Sequence, residues 1–451
     1  MISPQFITMK KQLLFLACVV VLCGCAKNDG ISPDSDNTQP NQNYEPIGRV
    51  LTAEQVKSLA LQIPTDYSAS LATKSAARQI KEIVPFGQTV WGTRMRTKSV
   101  DADPTAEAIK DIYIVNYEDS AGFAIVSADN RLPDVLAYSD KGALNETEHL
   151  PEGVQMFLSG LPEYARERIE EVNAVIANDD GIYDSMPDKD GYYRLNQRYM
   201  WGKRDEMTKG PLVNTQWGQG KPFNDYMPRD ETFGTLAPAG CVAVALGQIM
   251  VAHQWPLFVR SNRFIEPYYI AWNRLALNTA QEQIEQEPTT RTSIAALLEV
   301  IGRECGMQYG IIESSATNEG ALRALQNMGY KTYGSAQALD VDKAIAEIGA
   351  GRPVYVSGRT ADLAVGHAWM ICGYQYYRDE YWKQVDLYDA YMNFVRTETT
   401  VEYVSLKTNG VIYCNWGNYG EVDGWFAKGR FQSTLGDFSS ANQMIVGIRP
   451  I

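Results

Sequence analysis

Residues 240–253 read GCVAVALGQIMVAH, a helical stretch with almost no polar position to offer to water. A helix that is apolar all round has to be buried, so the domain containing it must be built around it. Ala239-Gly240 ahead of it supplies a turn without bulk and sets Cys241 in the first turn of that helix. There a cysteine faces unpaired backbone N–H groups, whose partial positive charge favours a thiolate. The same place suits an inert buried cysteine equally well. The fragment alone leaves both readings open.

A thiolate nucleophile needs a base, and the chain has three histidines. His253 lies twelve positions after Cys241, about 18 Å along the same helix at 1.5 Å per residue, and is out of reach. His149 belongs to the N-terminal region. His367, in GHAWMICGY, remains; Gly366 before it and an apolar strand after it place an imidazole at a strand's start on a cleft wall. A satisfied core histidine is the plain alternative, but elimination favours function. Acyl chemistry also needs donors for the oxyanion and a group that orients the imidazole. Gln219, between two glycines in WGQGKPFND, has a side-chain amide free to reach such a site. GVIYCNWGNYG offers Asn415 for the histidine and Trp416 to shield that bond from water. Each has an ordinary reading, as a loop amide or a strand end with a core tryptophan; the order Gln, Cys, His, Asn is harder to obtain by chance.

The organisation around these residues is legible in composition. At 451 residues the chain suits two or three domains, and 45% apolar with 21% charged residues describes a folded protein. A net charge of −13 argues against a phosphate-tracking nucleic-acid partner. Lys10 and Lys11 precede the apolar residues 13–22, a run too short to span a membrane, which closes as Leu-Cys-Gly-Cys at 22–25. That pattern resembles a bacterial lipobox and makes Cys25 the expected lipidation site, residues 1–25 a lipoprotein signal peptide and the cell envelope or outer surface the expected location. Residues 26–46, polar and rich in Asn, Asp, Ser and Pro, read as a disordered tether.

Residues 47–177 form a folded N-terminal domain: helical spacing over 51–63, a hairpin of IYIVNY and GFAIVS across 118–121, and a helix over 152–176 that Pro162 is expected to break. Residues 178–210, with NDDG, KDG and Arg194, Arg198, Lys203, Arg204 and Lys209, read as a linker open to activation cleavage. In residues 211–451 helical stretches (241–253, 293–305, 320–329, 341–351) precede strands (353–358, 367–377, 385–392, 410–417 and the C-terminus), an α+β order. After Cys18, Cys23 and Cys25 leave with the leader, Cys241, Cys305, Cys372 and Cys414 remain, and the last three are expected as buried free thiols. No Cys-x-x-Cys occurs, so no structural zinc is expected.

Taken together, WGQGKPFN, AGCVAVALGQIMVAHQWP, GHAWMICGY, CNWG followed by DGWF, and the terminal VGIRP resemble the streptopain family of papain-like cysteine peptidases. Residues 47–177, with YIVNYEDSAGFAIVSADNR, look like that family's inhibitory propeptide. The resemblance implies a papain-like two-lobed α+β fold, helical lobe plus antiparallel β lobe, behind an α+β prodomain. It implies a secreted or surface endopeptidase zymogen acting on protein or peptide substrates without cofactor or metal, with its own propeptide as inhibitor and the membrane reached through the lipid anchor. By position it makes Cys241 the nucleophile, His367 the general base and then acid, Gln219 with the Cys241 N–H the oxyanion hole, and Asn415 with Trp416 the support of the imidazole. Two features depart from the pattern. Asn418-Tyr419-Gly420 replaces a run rich in glycine and tryptophan, and YQYYRDEYWKQVDLY is inserted after the histidine strand. Cys/His/Asn sites also serve amidases and acyl transferases, and an inactive surface adhesion lipoprotein is the rival from another class.

Overall fold

A computed structural model describes residues 45–64, 78–93, 104–145, 150–177, 187–232, 234–359, 366–431 and 442–451. The leader with Cys25, most of the tether, His149 and residues 178–186 lie outside the described residues. The last two tether residues, Glu45–Pro46, pair with residues 200 and 201.

The N-terminal domain opens with α1 (Ala53–Gln62), whose start is fixed by a reciprocal cap: the Gln55 N–H donates to the Thr52 hydroxyl and the Thr52 N–H to the Gln55 side chain. Strands β1 (Ile80–Pro85), β2 (Ile112–Tyr117), β3 (Phe123–Ser127) and β4 (Val135–Ser139) follow as an antiparallel meander, with the expected hairpin between β2 and β3. Helix α2 (Glu152–Ala177) runs unbroken with Pro162 inside it, where a break was expected. Pro162 has no N–H for the preceding turn. Just before the freed Leu158 carbonyl, those of Met156 and Phe157 accept from the buried Arg430 guanidinium at 2.6 and 3.1 Å, which ties this part of the helix to the C-terminal half.

The segment expected as a linker is instead β5 (Tyr193–Lys209), a 17-residue strand. The C-terminal half continues with α3 (Cys241–His253), α4 (Pro288–Cys305), α5 (Asn318–Asn327) and α6 (Val341–Gly349), then β6 (Val354–Arg359), β7 (Gly366–Tyr388), β8 (Phe394–Asn415), β9 (Gly424–Ala427) and β10 (Gln443–Ile445). Strand β5 pairs with β7 from Tyr193 to Lys209, and the inserted sequence lengthens β7 and β8 into the same ribbon. The basic residues that suggested a protease-sensitive linker are strand residues: Arg198 pairs with Asp386 at 3.1 Å and Arg194 with Glu398 at 3.2 Å. The described side chains of β5 are at most half-buried, and its apolar residues alternate only over its first half before a charged stretch.

Helix α3 is buried from Val242 through Val251, between α4 on one side and strands β6 and β7 on the other. Gly247 makes the close approach possible, since a Cβ there would press on Trp217 and Leu298. The sheet order is β10-β6-β7-β8-β9-β4-β3-β2-β1, antiparallel throughout. It therefore crosses from the C-terminal half into the N-terminal domain through β9 and β4, with Gly424 opposite Ser139 and Phe426 opposite Ala137. One hydrophobic core is shared across that junction, where Phe157 of α2 meets Phe426 edge-on at 5.1 Å. The expected α+β architecture, a helical lobe and an antiparallel β lobe behind an α+β N-terminal domain, is the architecture found.

Candidate active site

Cys241 is the first residue of α3 and His367 the second of β7, and both line one cavity of about 870 Å³ between the helical and β lobes. Gly240 precedes the cysteine at φ 90°, a left-handed turn open to glycine and strained for other residues. It delivers the thiol to the helix N-terminus. The cavity wall opposite is formed by residues 313–319, and Gln219 lies on its rim.

The imidazole is buried and held at both nitrogens. Nε2–H donates to the Trp416 carbonyl at 2.9 Å, and Nδ1 lies 3.3 Å from Oε2 of Glu152, the first residue of α2. A carbonyl and a carboxylate are both acceptors, so this arrangement suits a ring protonated at both nitrogens. Burial pulls the His367 pKa down, but the Cys241 side chain, Glu152 and the Trp416 carbonyl together hold it above the ordinary imidazole value. Glu152 was not singled out from sequence; a glutamate opening a helix is ordinary, and nothing local announces its contact more than 200 residues away.

Asn415 does not contact the imidazole as expected. Its amide N–H donates to the Thr215 carbonyl at 2.6 Å and its oxygen accepts from the Gly417 N–H at 3.1 Å. Those bonds turn both ends of the side chain to backbone groups other than His367. Trp416 supplies the contact through its backbone instead, while its fully buried ring packs against Trp369 and Phe426 at 5.3 and 5.1 Å. The Trp416 N–H in turn donates to Asp423 at 2.7 Å. Burial pushes the Asp423 carboxyl up to about 8. Asp423 thus fixes the peptide whose neighbour in the chain carries the imidazole's acceptor, a role unreadable from its place in DGWF.

Gln219 is half-buried on a loop whose backbone is tied to the cysteine turn, its carbonyl accepting from the Ala239 N–H at 2.8 Å. The remaining cysteines are buried: burial pushes the Cys305 and Cys372 thiols up to about 12 and Cys414 well above its ordinary value. His253 packs against the Tyr330 ring, and burial draws its pKa down to about 4, which keeps it neutral and away from the site.

Residues 217–426, which span Gln219, Cys241, His367, Asn415 and Asp423, match the peptidase C10 family. That segment, rather than the whole chain, is what the peptidase C10 family accounts for. Residues 49–165 match a second family, the Spi protease inhibitor. Among curated relatives, the thiol protease/hemagglutinin PrtT of Porphyromonas gingivalis is 24% identical over 373 residues, 75% of this chain but 37% of PrtT. Streptopain of Streptococcus pyogenes serotype M1 is 26% identical over 298 residues, 58% of this chain and 68% of streptopain. Two solved structures match parts of this chain. A Prevotella intermedia prointerpain A fragment, 19% identical, has a TM-score of 0.46 and covers 75% of this chain and 95% of its own. The active interpain A protease, 18% identical, has a TM-score of 0.35 and covers 53% and 94%.

The segment matched to the C10 family ends at the strand that meets the N-terminal domain, and that domain contacts the site through two of its own segments. Glu152 holds the imidazole. Gly153 stands where any Cβ would overlap the Trp416 ring. Ser139 donates to the Asp423 carbonyl at 2.6 Å, and Lys141 to the Tyr419 carbonyl at 3.0 Å.

Proposed function

We propose that this chain is the zymogen of a cysteine endopeptidase, held latent by its own N-terminal domain. The observation that carries the reading is the meeting of Cys241 and His367, 126 positions apart, in a cleft where a prodomain carboxylate occupies the imidazole's inner nitrogen. In the freed enzyme Nδ1 is released from Glu152 and the protonated ring pairs with the cysteine, whose thiol proton passes to solvent, giving a thiolate and imidazolium at the helix N-terminus. The thiolate attacks the scissile carbonyl carbon, and the oxyanion accepts from the Cys241 N–H and the Gln219 amide. The tetrahedral adduct collapses as the imidazolium gives its proton to the departing amine. The neutral imidazole then takes a proton from water, whose oxygen attacks the acyl-enzyme and releases the acid and the thiolate. Trp416 and Asp423 keep the ring in register throughout.

Substrates are protein or peptide segments, and the chain is anchored through Cys25 before processing. Activation cleavage falls outside β5, because a protease needs its substrate extended and free and β5 is hydrogen-bonded to β7 along its length. The test is covalent labelling of processed enzyme with a peptidyl epoxide. The expected adduct is on Cys241 alone, and it disappears in His367→Ala. An adduct spread over Cys305, Cys372 and Cys414 contradicts the reading.

A further inference from the structure

Tyr419 stands where the sequence departs from its family pattern, and its backbone is strained. Its φ of 57° lies in the left-handed region, which disfavours a non-glycine residue. The strain is offset by what the side chain reaches. The ring fills the space where a Cβ of Gly218 would sit and packs on Phe223 at 5.8 Å; the hydroxyl accepts from the Gly220 N–H at 2.8 Å and stands where a Cβ of Gly220 would go. The Tyr419 N–H donates to the Trp217 carbonyl at 3.0 Å. Burial pushes the phenol pKa up, so the hydroxyl stays neutral and available to the amide.

The tripeptide between these contacts is Gly218-Gln219-Gly220. Two glycines make a loop with large backbone freedom, a poor support for an oxyanion donor that must be fixed before the reaction. Tyr419 removes that freedom at both ends, and the Ala239 N–H takes the Gln219 carbonyl between them. The Gln219 amide is then the part left free, on the rim of the cleft that holds Cys241. We infer that Tyr419 is a positioning residue for the oxyanion donor Gln219, a role that rests on the Gln219 assignment proposed above. The glycines flanking Gln219 and the tyrosine facing them form one device, a ring received by two residues without side chains.

A double-mutant cycle on the full chain, matured and assayed for kcat and KM on one peptide, tests this. Gln219→Ala is expected to lower kcat about 10²–10³-fold. Tyr419→Phe, which keeps the ring and loses the hydroxyl, is expected to lower kcat about two- to tenfold with KM within about twofold. In the Gln219→Ala background the same change is expected to cost nothing further. Tyr419→Gly relieves the backbone strain, so its Tm stays near the parent's while kcat falls further than in Tyr419→Phe. Equal losses from Tyr419→Phe in both backgrounds, no loss in either, or an unaffected Gln219→Ala would each overturn the inference. A Cys241→Ala control that cleaves as fast as the parent would overturn the catalytic reading instead.

Discussion

At the residue scale the site is a chain of single hydrogen bonds, Asp423 to the Trp416 N–H and the Trp416 carbonyl to His367, closed on the far side by Glu152. Because the folded pKa of His367 is raised, the imidazolium–Glu152 contact is fully present below the ordinary value of about 6.5 and is lost as pH rises through the higher one. Burial opposes that raised value, and the Cys241 side chain, Glu152 and the Trp416 carbonyl raise it. Glu152→Gln should therefore lower the His367 titration in the zymogen, read by imidazole NMR on a chain with three histidines; an unmoved titration contradicts the contact. Asp423 has the opposite sign of interest. The folded state keeps its proton up to about 8 while the unfolded carboxyl loses it near 3.8, so burial of Asp423 erodes stability as pH rises between those values. Denaturant midpoints of Asp423→Asn, which keeps the acceptor, should gain on the parent across that range. Asp423→Ala should lose about 1–3 kcal/mol by orphaning the Trp416 N–H.

At this scale the sequence was partly legible. Cys241 and His367 could be paired because helix rise disqualified His253 and His149 lies in the N-terminal region. The imidazole's acceptor could not be read, because a backbone carbonyl leaves no trace in residue type. Asn415, a plausible amide in the expected place, was drawn into the loop by Thr215 and Gly417. Glu152 and Asp423 act through contacts that span hundreds of positions or a buried turn, and neither has a local signature.

At the scale of elements, the helices and the hairpin followed from periodicity, whereas β5 did not. The described side chains of β5 are at most half-buried, and its apolar residues are interspersed with charged ones of both signs. Its pairing changes what proteolysis should find. Trypsin acting on the zymogen should cut after Lys189, which is exposed in the turn before β5, well before Arg194 or Arg198 within it. N-terminal sequencing of the products checks this; early cuts inside residues 193–209 would mean that the strand is open in solution. Helix α2 offers a second test. Gly153→Ala forces a methyl group into the Trp416 ring, an overpacking cost of about 1–3 kcal/mol. Latency should weaken about five- to 150-fold, measured as inhibition of the processed enzyme by the variant N-terminal domain; inhibition equal to the parent's would place the helix elsewhere.

Across the whole molecule, the sheet and one hydrophobic core run through both halves, so cutting the chain between them does not by itself separate them. The buried Arg430, with its two bonds to α2 carbonyls, belongs to the same junction. A lipid on Cys25 would then keep the enzyme at the membrane until the N-terminal domain is itself removed. Cell fractionation checks this: nicked but inhibited enzyme should sediment with membranes, and activity should appear in the supernatant only with loss of the N-terminal domain. The central claim, that this thiol is the nucleophile of a latent endopeptidase, is tested most directly by casein hydrolysis with the full chain and its Cys241→Ala variant after the same activating treatment. The parent should degrade casein and the variant should not, with its N-terminal domain still attached if maturation is autocatalytic. Casein hydrolysis by the variant at the parent's rate would contradict the account.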